Sequence, residues 1–315
     1  AWPYDKTTFT KSIENAEKTF CEIIKALEGS EKVELIVLNS QMQTRAENLL
    51  KTFEVDLFNI TFHLVEYADV WTRDYAPLFL KKDVWTKWQY NVYGKAHEDK
   101  IYWEPLLKDN DVFNKINLLG QKFEIPVVLE GGSVEVNGQG SLITTEQCLL
   151  NPNRNPDLTK EQIEQNLKEY LGVSNVIWLK KGLVNDHTDG HIDDIVRFVA
   201  SRKILACYED DSTDENYEIL KENYEILSQT DFEIVKLPMP HMKYDDGSKA
   251  PVSYANFYIG NTVVLVPVYD DLSDAKALEI IQSCFPERKV VGIDCREIIY
   301  GGGAIHCMTQ QQPGV

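Results

Sequence analysis

The order of apolar and polar positions along the chain predicts a repeated strand–helix–strand unit. Between residues 12 and 27 apolar side chains recur at helical spacing, and Gly29 follows as a stop signal. Residues 32–38 then have the pattern of a buried strand, 42–53 that of a helix and 60–65 that of a second strand. We expect the same order to recur along the rest of the chain.

Four further units follow. Their predicted strand, helix and strand are 84–92, 105–119 and 125–129; 141–150, 159–171 and 175–179; 204–208, 214–229 and 232–237; and 262–268, 273–285 and 289–293. Short β-like runs lie between the units at 78–80, 134–136, 195–199, 255–259 and 304–307. The second strands end about every 57 residues without a linker, which predicts a closed repeat array. The prediction is one α/β domain over residues 1–315, built from five ββαβ units.

The amino-acid composition limits the kinds of molecule that the protein is expected to bind. Hydrophobic residues make up 43% of the chain and charged residues 26%, as in a globular protein. The formal net charge of −18 argues against nucleic acid, because binding phosphates requires basic patches. An acidic field instead attracts small cations.

The six cysteines show no C-x-x-C spacing, which indicates reduced thiols in a cytoplasmic protein. No apolar run approaches the roughly 20 residues that a membrane helix needs, and no signal peptide is visible. The chain begins at Ala1 without a methionine, so we expect a short N-terminal piece to be absent from this numbering.

The densest ionisable stretch is residues 185–194, between two apolar runs. On an extended backbone His187, Asp189, His191 and Asp193 would alternate onto one face. Two imidazoles and two carboxylates there could bind a metal, transfer protons or hold a cationic substrate. The plainer interpretation is a solvated polar loop.

Four of the five loops that follow the second strands carry chemically active side chains. If the units are related by rotation, Asp74, Glu130, His191, Asp193 and Cys307 would face one another. The fourth loop, near His241 and residues 245–247, is less distinctive.

Each of these residues also has a plain structural interpretation. Cys307 could be a nucleophile or a buried small hydrophobe. Asp74 could form an ion pair with Arg73, and Glu130 could lie in a solvated turn. Four histidines show no partner pattern and are interpreted as structural or solvated: His63, His97, His241 and His306.

Four motifs in order carry a resemblance to a known family. They are W-x-R-D-x-x-P at 71–77, L-E-G-G-S at 129–133, T-D-G-H-x-D at 188–193 and G-G-G-x-I-H-C-x-T-Q-Q at 301–311. The chain resembles the agmatine deiminases, which are related to the bacterial type of peptidylarginine deiminase within the guanidine-modifying superfamily; residues 144–156 resemble the family too. The resemblance implies a five-bladed pseudo-symmetric α/β propeller.

The resemblance also implies roles for the matched residues. Cys307 would attack the guanidinium carbon, and His191 would protonate the departing ammonia and then activate water. Asp74 and Asp193 would grip the guanidinium nitrogens, with Glu130 nearby. The resemblance implies no metal or other cofactor. The expected partner is a small cationic guanidine, and a homodimer is compatible with the sequence. The candidate substrate-binding residues are Trp71, Asp186, His187 and Asp189.

The expected reaction converts agmatine and water to N-carbamoylputrescine and ammonia through a covalent thiouronium intermediate. The sequence departs from the family pattern at Ala76, Ala304 and His187. His187 stands where agmatine deiminases usually carry an acid that faces the substrate's far ammonium, so peptidyl-arginine or another guanidine is an alternative substrate. A metal-dependent hydrolase that uses residues 187–193 and a catalytically silent binding propeller are the competing hypotheses from different functional classes.

Overall fold

The computed structural model describes residues 1–96 and 104–314, so the predicted assignment of His97 lies outside the described residues. The α-helices of the described part are α1 (Ile13–Leu27), α2 (Ser40–Thr52), α3 (Thr72–Tyr75), α4 (Val112–Lys115), α5 (Glu146–Leu149), α6 (Lys160–Leu171), α7 (Tyr217–Leu227) and α8 (Asp274–Cys284). The strands are β1 (Val33–Val37), β2 (Ile60–Leu64), β3 (Leu78–Lys81), β4 (Val84–Gln89), β5 (Gln121–Val128), β6 (Glu135–Val136), β7 (Ser141–Thr145), β8 (Asn175–Leu179), β9 (Val196–Ala200), β10 (Lys203–Tyr208), β11 (Glu233–Pro238), β12 (Tyr258–Ile259), β13 (Val263–Val268) and β14 (Lys289–Asp294).

These strands form five small sheets, and the α/β class is confirmed. Four sheets have three strands, in the orders β3-β4-β5, β6-β7-β8, β9-β10-β11 and β12-β13-β14. In each of them the middle strand pairs antiparallel with the first and parallel with the last, which is the predicted ββαβ order. The first sheet contains only the parallel pair β1-β2 within the described residues.

Helix ends follow local capping signals. The Ser12 side chain accepts a hydrogen bond from the Asn15 N–H at the start of α1. At the start of α6, Thr159 and Gln162 form the predicted capping box, and α6 ends at Gly172 in the left-handed conformation with φ of 67°. These contacts fix where the helices begin and end relative to the strands they connect.

The stretch between β8 and β9 differs from its prediction. It is not extended: Asn185, Asp189 and Gly190 have φ of 60°, 65° and 88°, and residues 192–194 form a 3-10 turn. The cause is Asp186, whose carboxylate accepts hydrogen bonds from the backbone N–H groups of 188, 190 and 191 and from the Thr188 hydroxyl. A side-chain acceptor of this kind competes with regular backbone pairing and folds the segment into a loop.

Two other segments also differ. Residues 305–308 form a turn, although the apolar pattern of 304–307 predicted a strand. The helix predicted within 105–119 is mostly a 3-10 helix over Glu104–Asp111, followed by the single turn of α4. Short apolar runs do not distinguish a strand from a buried turn, which explains the first error.

One buried arginine connects three of the sheets. Arg197 in β9 donates from Nε to the carboxylate of Glu135 in β6 at 3.1 Å, and Glu135 also accepts from the Phe198 N–H at 2.8 Å. The Arg197 Nη1 group donates to the carbonyls of Ala255, at 3.0 Å, and Phe257, just before β12. Arg197 of β9 therefore satisfies acceptors in β6 and in the segment just before β12 at once.

We predict that Arg197→Met lowers the free energy of unfolding by about 3–5 kcal/mol, because it leaves the Glu135 carboxylate buried without its charge partner. Urea denaturation measures the change. Arg296→Met is the matched control, since Arg296 is exposed and pairs with Asp294 on the surface; we expect a loss below about 1 kcal/mol there. Adding Glu135→Gln to Arg197→Met should restore part of the stability. Equal losses in the two single variants would contradict the proposed role of Arg197.

Candidate active site

The predicted site residues come from loops that follow the last strand of four different sheets. Asp74 lies in α3 after β2, Glu130 after β5, His191 and Asp193 after β8, and Cys307 after β14. All five are buried, with exposed fractions between 0 and 7%. The loops also contact one another through the backbone, since the Arg73 N–H donates to the Cys307 carbonyl at 3.0 Å.

Three of the five residues converge on Gly132. A Cβ atom added at Gly132 would lie 2.6 Å from His191 Nδ1, 2.9 Å from Asp74 Oδ1 and 3.1 Å from Asp193 Oδ2. The Gly132 N–H also donates to Asp74 Oδ1 at 2.9 Å. Only a residue without a side chain leaves room for this imidazole and the two carboxylates to come together.

The sulfur of Cys307 lies beside the same group. Its Sγ atom is 3.9 Å from Asp193 Oδ2, and Asn256 Nδ2 donates to Sγ at 3.1 Å. Asn256 Oδ1 accepts from the backbone N–H groups of His306, at 2.9 Å, and Cys307, at 3.3 Å. Asn256 belongs to the fourth loop, between β11 and β12, whose sequence carries no signal beyond an amide within a short apolar run.

Burial dominates the electrostatics of the thiol and its neighbours. It raises the pKa of the Cys307 thiol well above its usual value, and the charges of Asp193, Asp194 and Asp74 raise it further. It raises the pKa of Asp193 well above its usual range and also raises that of Asp74. The site therefore disfavours both the ionised acids and the thiolate until a cation binds.

His306, which showed no partner pattern in the sequence, hydrogen-bonds to Asp193. Its Nδ1 atom is 2.6 Å from Asp193 Oδ2. Burial lowers the pKa of His306 well below its usual value, and the nearby charges of Arg197 and Arg73 lower it further. A neutral imidazole that donates from Nδ1 fixes the orientation of the carboxylate.

Arg154 was also missed, although it lies within residues 144–156, whose sequence resembles the family. This buried guanidinium donates from Nε to Glu130 Oε1 at 2.9 Å and from Nη2 to the Thr188 carbonyl at 2.6 Å. Its Nη1 atom pairs with Asp189, whose carboxylate also accepts from Asn153 Nδ2 at 2.9 Å. Arg154 thus ties the Glu130 loop to the 185–194 loop.

Three buried polar atoms of the site have no hydrogen-bond partner among residues 1–96 and 104–314. They are Glu130 Oε2, His191 Nε2 and Asp193 Oδ1. Leaving such atoms unpaired is costly, so their presence together indicates a site for a ligand. Because two of the three are carboxylate oxygens, the fitting ligand is a donor-rich cation.

A pocket of about 470 Å³ lies near this group; none of the three residues lines it, and its wall residue Tyr93 contacts His191. Of the predicted substrate-binding residues, Trp71 and His187 line it. The Tyr93 ring, also in its wall, donates its hydroxyl to Asp74 Oδ2 at 3.0 Å and lies against both His187 and His191. The remaining two predicted residues, Asp186 and Asp189, serve as hydrogen-bond acceptors within the loop and from Arg154.

The metal-ligand set considered from the sequence is not assembled in the described part of the chain. His187, Asp189, His191 and Asp193 do not bring ligand atoms within 4.8 Å of one another, whereas Glu130, Cys148 and His191 do, as do Asp193, Asp194 and Cys307. The loop folded by Asp186 leaves His191 and Asp193 together at Gly132 but places Asp189 against Arg154.

Comparison with known proteins assigns the chain to a family. The family model described as Porphyromonas-type peptidyl-arginine deiminase matches residues 1–313. The chain belongs to this family. The family membership confirms the resemblance drawn from the four sequence motifs.

Members and relatives of the peptidyl-arginine deiminase family match nearly the whole chain. A Mycoplasma capricolum protein named "Putative agmatine deiminase" is 36% identical over 99% of this chain and 91% of its own length. The Enterococcus faecalis agmatine deiminase structure, described as catalysing its reaction, has a TM-score of 0.87 at 30% identity and covers 99% of this chain and 91% of that one. The C. jejuni agmatine deiminase with substrate bound has a TM-score of 0.83 at 30% identity, covering 95% and 87%.

Throughout residues 1–96 and 104–314, the helices of this family member are too short or too polar to cross a membrane.

We predict that Cys307 in the free protein reacts slowly with iodoacetamide at pH 7. Since its thiol pKa is raised, the rate should climb about tenfold per pH unit as the thiolate fraction grows. Asp193→Asn removes a neighbouring negative charge and should accelerate the reaction at pH 8. Peptide mass spectrometry measures labelling, with the partly exposed Cys284 of α8 as the internal control. If the rate at which iodoacetamide labels Cys307 does not change between pH 6 and 9, the thiolate is already formed and the prediction is wrong.

Proposed function

We propose that the protein is an agmatine deiminase, a hydrolase that converts agmatine and water to N-carbamoylputrescine and ammonia. The observation that carries the proposal is the group of unpartnered atoms, Glu130 Oε2, His191 Nε2 and Asp193 Oδ1, in which the Asp193 carboxylate lies 3.9 Å from the sulfur of Cys307. A planar guanidinium supplies several N–H donors in one plane and a positive charge, which satisfies the carboxylates. The agmatine deiminases among the similar structures support the choice of substrate.

In this proposal the carboxylates bind the guanidinium and also prepare the nucleophile. Asp193 and Asp74 accept hydrogen bonds from the guanidinium nitrogens, and Glu130, held by Arg154, accepts from the same plane. The arriving positive charge lowers the pKa of the Cys307 thiol, which burial and acidic neighbours hold high in the free protein. Substrate binding therefore favours the thiolate that the reaction requires.

The thiol proton of Cys307 passes to His191, and the resulting thiolate attacks the guanidinium carbon to form a C–S bond. His191 donates a proton to one terminal nitrogen, and the C–N bond breaks to release ammonia, leaving a covalent thiouronium. His191 next removes a proton from a water molecule, which attacks the same carbon. The C–S bond breaks as the C=O bond of N-carbamoylputrescine forms and the added hydroxyl loses its proton to solvent; the sulfur returns as the thiolate, stabilised by the N–H that Asn256 donates to it.

A second candidate substrate is a guanidine without a terminal amine or a peptidyl-arginine, and His187 is the observation that favours it. His187 lines the pocket, and burial lowers its pKa, so the imidazole is neutral at pH 7. A neutral ring gives a distant ammonium no charge partner.

We also propose that residues 1–315 form one domain in which the five sheets are blades of a pseudo-fivefold propeller. Two observations support this arrangement. Four sheets share the same strand order and directions, and each of the five sheets is followed by a loop that contributes to the site, with Asn256 as the contribution of the fourth. Repeats related by rotation bring equivalent loops to one end of the axis.

We predict that Cys307→Ala abolishes ammonia release from agmatine while the unfolding midpoint stays within a few degrees of the wild type. The matched control is Cys148→Ala, because this buried thiol lies close to Glu130 and His191, whereas the Asn256 amide donates to Cys307. Cys148→Ala should retain turnover. Ammonia release by a folded Cys307→Ala protein would remove Cys307 as the nucleophile.

We predict that His187→Glu raises kcat/KM for agmatine about tenfold, since a carboxylate adds a charge-assisted hydrogen bond to the far ammonium. An amine-free alkylguanidine should gain nothing. Gln139→Glu, in the exposed turn between β6 and β7, adds the same charge away from the pocket and serves as the control. Equal changes for the two substrates would show that residue 187 does not face the ammonium.

A further inference from the structure

We propose that Asp245 and Tyr300 form the subsite for the alkylammonium end of the substrate, and that Lys11 occupies this subsite in the free protein. This inference rests on the proposed function and adds a specificity-determining pair to it. The substrate's far ammonium would displace Lys11 from Asp245 when the guanidinium enters.

An alkylammonium is already bound at this position, because Lys11 supplies one. Its Nζ atom pairs with Asp245 Oδ2 and lies 4.9 Å from the centroid of the Tyr300 ring. The Tyr300 hydroxyl donates to the second carboxylate oxygen, Oδ1, at 3.0 Å. A carboxylate beside an aromatic face is the combination that recognises a primary ammonium.

The subsite lies in the same pocket as the candidate catalytic loop. Asp245, Tyr300 and Trp71 all line this pocket. Tyr300 precedes Gly303 by three residues, and a Cβ added at Gly303 would lie 3.1 Å from the Cys307 sulfur. Three residues of chain span at most about 11 Å. A substrate held at the sulfur by its guanidinium therefore has its tail within the region that Tyr300 borders.

The remaining carboxylates that line the pocket are less suited to the tail. Asp69 accepts from the Thr8 hydroxyl and the Val70 N–H, and burial raises its pKa to about 7, so it is only partly ionised at neutral pH. Asp246 accepts from both the N–H and the hydroxyl of Ser248. Asp245 differs because its charged partner is a lysine on a flexible stem.

Displacement of Lys11 costs little. The Lys11 side chain is 38% exposed and that of Asp245 is 69% exposed, and ion pairs in contact with water contribute little to stability. The ammonium of the substrate, in contrast, belongs to a molecule whose guanidinium is already bound among buried carboxylates. Anchoring one end raises the effective concentration of the other at Asp245.

The first test is Asp245→Asn, with agmatine compared against pentylguanidine, which has a similar length and no amine. We expect KM for agmatine to rise about fivefold and KM for pentylguanidine to stay unchanged. Glu279→Gln is the matched control, because Glu279 pairs with Lys276 on the exposed face of α8 and its loss changes the net charge equally. An unchanged ratio of kcat/KM between the two substrates in Asp245→Asn would overturn the subsite.

The second test is Lys11→Met, with Lys276→Met as its control. Removal of the internal competitor should lower KM for agmatine about threefold and leave pentylguanidine unaffected. A higher KM for agmatine in Lys11→Met would show that Lys11 supports the pocket wall, and would overturn its role as a competitor.

Equilibrium binding to Cys307→Ala separates the subsite from the proposed function. We expect calorimetry to give tighter binding of agmatine than of pentylguanidine, and Asp245→Asn to remove the difference. Equal affinities for the two guanidines would overturn the subsite alone. If neither guanidine binds and the wild-type protein turns over neither, the proposed function itself fails.

Discussion

The structure depends on negative charge buried around a thiol. Asp74 and Asp193 are buried beside Cys307, and burial alone makes their ionised forms expensive. The surrounding contacts compensate in part: His306 donates to Asp193, and Gly132 and Tyr93 donate to Asp74. Two carboxylate oxygens, Glu130 Oε2 and Asp193 Oδ1, remain without a partner in the described part of the chain, and a donor-rich cation would satisfy both. The same constraint explains why the thiol is held neutral in the absence of substrate.

Much of this arrangement could be predicted from the sequence. The 3.6-residue and two-residue periodicities located the helices and strands, because each element must bury one apolar face. The recurring order of elements placed Asp74, Glu130, His191, Asp193 and Cys307 in equivalent loops, and in the structure the three Gly132 neighbours lie together, with the sulfur 3.9 Å from Asp193. The motif resemblance added the family.

The sequence did not predict the roles of residues that act through contacts with distant parts of the chain. Asn256 and Arg154 act through hydrogen bonds to residues 24 to 51 positions away, and neither residue type has a periodicity that marks it. The alternation predicted for residues 187–193 was wrong. The Asp186 carboxylate accepts hydrogen bonds from the backbone of the same stretch, and the apolar–polar pattern carries no information about such contacts. A short polar stretch has no apolar face to bury, so local side-chain acceptors decide its conformation.

The carboxylate of Asp186 has a further consequence for the energetics of binding. By accepting four hydrogen bonds from residues 188–191, it holds the segment that carries His191 in one conformation before any ligand arrives. The conformational entropy of that segment is lost during folding and not at the encounter with substrate. The free energy of the guanidinium contacts is then available for discrimination among ligands, and a small molecule that makes few contacts can still bind selectively.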